Sequence, residues 1–372
     1  MSSYRIIKIF FSTTLIIVIV FIFDLLVNVI LSENFKKKIG TTRNYSLKSI
    51  KFHHEIASNI DLYEYWGNKK YKVVTNQYSM RVLNKDKREI KKNKENIGFV
   101  GDSFVYGSGI NYEDHFINIL DNNNFNYNFL NLGYVSYSPS IYYKKIKYFL
   151  EVENLNFDKI FLFVDHSDVQ DEGLFYRENS DGNIIRKWHS DEEAYKKNKK
   201  YILKNFLKQN SFIFKIYEHF VSPKISNNSK KCVLDNYKKN YINYMEVERF
   251  GYGYDKEIYK KKWVNEGLNK ISKYLNEILF LSKKYNFKLF IVYYPSAMEV
   301  LDKIHYNSSK HFVFLKEWSV KNNVNFINTY DEFNQFEDNK KNYLQNFIEC
   351  DVHWNVSGHL KISKILSNII DD

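Results

Sequence analysis

The chain has 372 residues, 55 Lys and Arg against 43 Asp and Glu, and a formal charge of +12. At 44% hydrophobic and 18% aromatic residues it is too apolar for a disordered chain, and two cysteines are too few for a disulfide-stapled scaffold. The positive balance does not mark a nucleic-acid partner: Lys, Asn, Ile, Tyr and Phe crowd the chain together, as A/T-rich codons produce, and the densest run, 85–94, mixes both signs without aromatics, as a solvated face does.

The first part, 1–35, reads as a membrane anchor. Residues 9–31 (IFFSTTLIIVIVFIFDLLVNVIL) carry one charge, Asp24. The run is long enough to span a bilayer as a helix and too long for the apolar part of a cleaved signal peptide. Lys36, Lys37, Lys38 and Arg43 follow it and outnumber Arg5 and Lys8 before it. Charge alone therefore puts the far side in the cytoplasm; the function argued below reverses that placement. Residues 36–95 are polar and mixed, and read as a lead-in with little motif content.

From 96 to 372 the pattern is that of one domain. Residues 97–100 (IGFV) form a short buried strand ending at Gly101, followed by a helix over 113–122. Residues 129–132 make a second strand, ending at Gly133. Pro139 opens a helix, since proline suits a first helical turn. Residues 159–164 (KIFLFV) are a fully apolar strand. A long amphipathic helix spans 263–286, a strand 287–294, a helix 308–322, a strand 324–327 and a last helix 356–370. Continuous apolar strands alternating with helices imply an α/β fold whose parallel sheet is covered on both faces. One stretch, about 171–262, breaks the rhythm. It reads as an insertion after the third strand, at the sheet's carboxyl edge, where it is placed to form a lid.

Polar residues gather at the strand ends. Ser103 follows the first strand in Gly101-Asp102-Ser103-Phe104; the glycine permits a sharp turn that projects the hydroxyl. Near the other terminus stand Asp351, His353 and Trp354, just before the last helix. A serine hydroxyl needs a base to become a nucleophile, histidine suits that role near neutral pH, and a carboxylate fixes the imidazole tautomer. Trp354 reads as a wall beside that histidine. Asp165, His166 and Asp168 have the residue types of a metal site but lack a second cluster at ligand spacing, so no metal is expected. His359 reads as packing or capping.

Gly101-Asp102-Ser103, Gly133 and the Asp351/His353 pair together resemble the blocks of the SGNH hydrolases, also called GDSL esterases. The resemblance covers roughly 96–370, interrupted by the insertion. It implies a three-layer α/β/α sandwich, a triad of Ser103, His353 and Asp351, and an oxyanion hole fed by the N–H groups of Ser103 and Gly133. Two departures stand out. The D-x-H-W spacing is similar to that of SGNH-like O-acetyltransferases of bacterial polysaccharides, rather than the usual D-x-x-H. Ser167 falls where the family places an oxyanion asparagine.

The resemblance implies a serine esterase or O-acyltransferase with no cofactor, acting on an acylated carbohydrate or another small ester. O-acetyl groups of cell-envelope glycans are the expected target. The domain would then face the periplasm or cell surface, anchored through 9–31, with an acyl-donor membrane partner. The alternative is a non-catalytic glycan-binding or assembly protein that kept the fold.

Overall fold

Side chains alternate strictly along the central strands. Ile160, Leu162 and Val164 belong to one buried cluster, while Phe161 and Phe163 belong to a second. Leu289, Ile291 and Tyr293 join the first cluster; Phe290, Val292 and Tyr294 join the second. A strand hydrophobic at every position therefore feeds two cores, one on each face of its sheet. The computed structural model that shows this describes residues 3–30, 46–49, 52–66, 69–87, 89–186, 211, 213 and 251–370.

Twelve strands occur among the described residues. Five make the parallel sheet: β6 (Glu95–Val100), β7 (Tyr127–Asn131), β8 (Lys159–Phe163), β11 (Lys288–Tyr293) and β12 (Asn325–Asn328), in the order β12-β11-β8-β6-β7. Register sets Phe99 beside Phe161 and Phe161 beside Phe290. Their rings stack at 5.4 and 4.6 Å, a ladder across three strands. Helices Pro139–Glu151, Lys262–Tyr285 and Lys310–Asn322 supply the first core. Helices Phe116–Asn123 and Val356–Ile370 supply the second. This is the expected α/β fold, with a parallel sheet and helices on both sides.

The chain divides into two units, Met1–Asn44 with Trp188–Lys231, and Tyr45–Lys187 with Cys232–Asp372. In the first, residues 9–30 of the stretch expected to cross a membrane lie in the helix Ser3–Ile30. Among the described residues no helix is long and apolar enough to cross a membrane, so the anchor through 9–31 is not supported there. Asp24, the charge in that stretch, is buried and accepts the N–H of Ile213 at 2.8 Å.

The segment expected as a lead-in is built into the second unit from residue 45 onward. Strands β1 (Ser46–Ser49) and β2 (His53–Ile56) form one antiparallel pair. Strands β3 (Asp61–Trp66), β4 (Lys69–Thr75) and β5 (Arg81–Val82) form a small antiparallel sheet. Phe52, Ile56, Tyr71, Val73 and Met80 are buried in the same core cluster as Tyr142, Ile146 and Ile160. Of the insertion, residues 171–186 hold a turn and the antiparallel pair β9 (Tyr176–Glu178) and β10 (Ile184–Arg186). Of the stretch of about 171–262 read as a lid, residues 187–250 lie outside the described residues apart from 211 and 213.

Candidate active site

β6 ends at Val100 and the chain turns at once into the helix Ser103–Tyr106. Gly101 makes the turn possible: a Cβ there would meet Val105 Cγ2 at 2.4 Å and Phe163 Cβ at 3.1 Å. Asp102 caps the helix, its Oδ1 accepting the Phe104 N–H at 3.0 Å. Ser103 is thereby held at the carboxyl edge of the sheet with little exposure.

The turn before the last helix reaches the same point. Its D-x-H spacing has a local cause. Asp351 Oδ1 accepts the backbone N–H of His353 at 2.8 Å and faces the ring Nδ1 at 2.5 Å. One carboxylate oxygen thus makes an Asx-type turn and orients the imidazole. The Tyr343 hydroxyl accepts the Asp351 N–H at 3.0 Å and braces the turn from below. His353 Nε2 lies 2.8 Å from Ser103 Oγ, across 250 positions of sequence. The three residues singled out for nucleophile, base and acid are therefore brought together.

Electrostatics at this couple favour charge separation. Burial pulls the His353 imidazole down, but the charge and hydrogen bond of Asp351, with Asp102 and Asp165 behind it, hold its pKa above the ordinary value. Burial pushes Asp351 up; the His353 charge, its two hydrogen bonds and the Trp66 indole outweigh that and hold the carboxyl low. Ser103 Oγ also lies 3.2 Å from Asp102 Oδ2, so its proton has a second acceptor.

The expected oxyanion residues are placed differently from one another. Gly133 sits against the nucleophile helix, where a Cβ would meet the Tyr106 N at 2.7 Å. Its N–H, however, donates to Asn131 Oδ1 at 3.0 Å. Asn131 Nδ2 in turn donates to the Val105 carbonyl at 2.9 Å. Ser167 is buried at the start of the short helix Ser167–Gln170, its N–H given to Asp165 Oδ1 at 2.7 Å.

Around Ser167 the polar residues serve the fold. Asp165 Oδ2 accepts the Tyr294 hydroxyl at 2.9 Å. Asp168 is fully buried and accepts the Asp165 N–H at 3.0 Å and the Tyr142 hydroxyl. Burial, then the charges of Asp102, Asp165 and Asp171, push its carboxyl well above the usual range. His166 pairs with Glu299 at 2.9 Å, both fully buried. Among the described residues no group of three or more His, Cys, Asp or Glu could hold a metal ion.

Two aromatic assignments differ from the sequence reading. Trp354 is 1% exposed and belongs to the second core, so it is no wall of an open cleft. The aromatics beside the imidazole are Phe104, at 5.0 Å, and Trp66, from the segment read as a lead-in, with ring centroids 4.7 Å apart at 80°. Trp66 lies 285 positions from Asp351, and no motif marks it. His359 is buried, 4.6 Å from the His115 ring, and burial drives its pKa down to about 3.

No family model matches the chain, and no curated protein matches it closely. Several solved structures share part of its course. A lipolytic protein of the G-D-S-L family from Veillonella parvula is 13% identical over 74% of this chain and 98% of its own, with a TM-score of 0.41. The acetyl xylan esterase AlAXEase is 14% identical over 74% and 99%, with a TM-score of 0.40. A catalytic mutant of Axe2, an acetylxylan esterase from Geobacillus stearothermophilus, is 11% identical over 76% and 96%, with a TM-score of 0.38. At such identities and TM-scores the likeness decides neither this chain's family nor its substrate.

Proposed function

We propose that the protein is a serine ester hydrolase or acyltransferase of SGNH type. One observation carries the reading: Ser103 Oγ, His353 and Asp351 form a continuous relay of 2.8 and 2.5 Å at the carboxyl edge of the sheet. Ser103 Oγ attacks the ester carbonyl as His353 Nε2 takes its proton. Asp351 stabilises the imidazolium that results. The tetrahedral oxyanion is met by the N–H of Ser103, and by that of Gly133 once Asn131 releases it. His353 then gives the proton to the leaving alcohol; in the second half it takes a proton from water or a sugar hydroxyl as that oxygen attacks the acyl carbonyl, and returns it to Ser103 Oγ as the acyl–serine bond breaks.

The substrate we infer is an acyl ester on a carbohydrate, with the D-x-H-W block as support. A location outside the cytoplasm is part of the same proposal. It is supported by Cys350, which is disulfide-bonded; such bonds persist in oxidising compartments. The chain's only other cysteine, Cys232, lies outside the described residues. A reporter fused after residue 40 tests the placement, and a cytoplasmic readout refutes it.

The activity is tested with an aryl acetate and a serine-reactive fluorophosphonate on the full chain, Ser103→Ala alongside. Equal turnover by the two proteins would end the proposal. A second reading, a binding or assembly protein that kept the fold, is favoured by the engagement of the Gly133 N–H with Asn131. Folded protein that takes no label would support it.

A further inference from the structure

A triad acid has two oxygens, and its imidazole uses only one. In this protein Asp351 Oδ1 serves His353, both ring and backbone. The second oxygen is left facing away, only partly shielded from solvent. It accepts the Trp66 indole N–H at 2.8 Å. The indole also lies edge-on to the His353 ring at 4.7 Å. One side chain therefore touches both members of the acid–base couple, one by a charge-assisted bond and one by ring contact.

Trp66 is not placed by the sheet that carries Ser103. It ends β3, which pairs with β4 through Tyr63↔Lys72 and Trp66↔Lys69. Two residues back on the same face of β3 stands Glu64, a buried carboxylate. Glu64 Oε2 accepts the hydroxyl of Tyr106 at 3.1 Å and also that of Tyr71. Tyr106 is the last residue of the helix that begins at Ser103. So β3 grips the nucleophile's helix with Glu64 and the acid's turn with Trp66. The two halves of the relay come from opposite ends of the chain, and this strand fastens to both.

We propose that Trp66 is a positioning residue of the relay, held by β3 as a strut between the Ser103 helix and the Asp351 turn. The inference rests on the catalytic reading above, and its role is to act through Asp351 rather than on substrate. With the indole present, Asp351 Oδ2 is fixed and part of its charge is spent on the N–H. With the indole removed, the carboxylate gives more of its charge to His353, and the imidazole holds its proton more tightly. Its orientation is also less restrained, which slows the proton transfer from Ser103.

The test is Trp66→Phe in the full chain, which keeps a ring and removes the N–H. The His353 ring titration, followed by NMR, should move to higher pH. Turnover of the aryl acetate should fall about tenfold, the worth of one hydrogen bond to a charged group, with KM little changed. An unmoved titration in folded Trp66→Phe overturns the proposal, whatever happens to turnover. Because the titration needs no activity, it separates this inference from the enzyme assignment: wild-type protein that is inactive and unlabelled refutes the assignment, and the titration still decides on Trp66. Should Trp66→Phe fail to fold, Asp351→Asn is the second variant. Its Trp66 indole N–H resonance should shift upfield as the charged acceptor is lost, and an unchanged resonance overturns the proposal.

Discussion

Trp66 and His353 divide the Asp351 carboxylate between them, the indole on Oδ2 at 2.8 Å and the imidazole on Oδ1 at 2.5 Å. Each oxygen has its own protein partner. An acid so held stays ionised and fixed in direction, which is what the imidazole needs while it carries a proton.

The relay should behave as a unit. His353→Ala should lower aryl-acetate turnover by at least about 10³-fold, and adding Ser103→Ala should make it hardly worse. Steady-state assays of the single and double variants measure this. Additive losses would mean that the two side chains do not work on one proton.

Turnover should depend on pH through His353. The base must be neutral to accept the Ser103 proton, and its pKa is held above the ordinary histidine value, chiefly by Asp351 against the pull of burial. The rate should therefore fall as pH drops through a midpoint higher than that of a free histidine, about 6.5. A profile of kcat/KM against pH reads the midpoint directly. Asp351→Asn should move the remaining limb downward.

Gly101→Ala should strain the turn that carries the nucleophile. The new Cβ would come within 2.4 Å of Val105 Cγ2, inside the helix that starts at Ser103. A loss of about 1–3 kcal/mol in urea unfolding is expected, as for other overpacked sites. Fluorophosphonate labelling should slow as well, because Ser103 moves with Val105.

Arg81→Met should cost more. The guanidinium is 2% exposed and donates to four carbonyls, those of Tyr106 at 2.9 Å, Gly107 at 2.7 Å, Lys72 at 2.9 Å and Ile110 at 2.5 Å. Three of those carbonyls lie at the end of the nucleophile helix and in the turn that follows it, and the fourth, that of Lys72, lies on β4. Left without donors, they should destabilise the fold by at least about 3 kcal/mol. Urea midpoints measure it, and a change below 1 kcal/mol would mean that water replaces the guanidinium without penalty.

The sheet was readable because its strands are continuous apolar runs. Residues 159–164 and 287–294 have no polar face to confuse with a helix, and both became central strands. Ser103 and His353 were readable because strand ends in such sheets are where polar residues have a purpose. The small antiparallel sheet over 61–82 was not. Its strand β4, KKYKVVT, mixes charged, aromatic and β-branched residues and shows no clean alternation, although its partners β3 and β5 are close in sequence. Trp66 and Glu64 have meaning only through Asp351 and Tyr106, and no local pattern announces partners 285 and 42 positions away. The oxyanion side shows the opposite failure. Gly133 lies at the expected place, yet nothing in its own motif foretells that the neighbouring Asn131 amide would take its N–H.

The placement of β3, β4 and β5 sets where a workable fragment can begin. A protein cut to start at residue 96 would keep each recognisable block, and on an alignment it would look whole. It would lose Arg81, and with it the donor for the three carbonyls of Tyr106, Gly107 and Ile110 that follow the serine. It would lose Glu64 and Trp66 as well, leaving Tyr106 and Asp351 to find solvent. An inert preparation of that length would therefore be evidence about the missing segment from 45 to 95, and not about the chemistry of the serine.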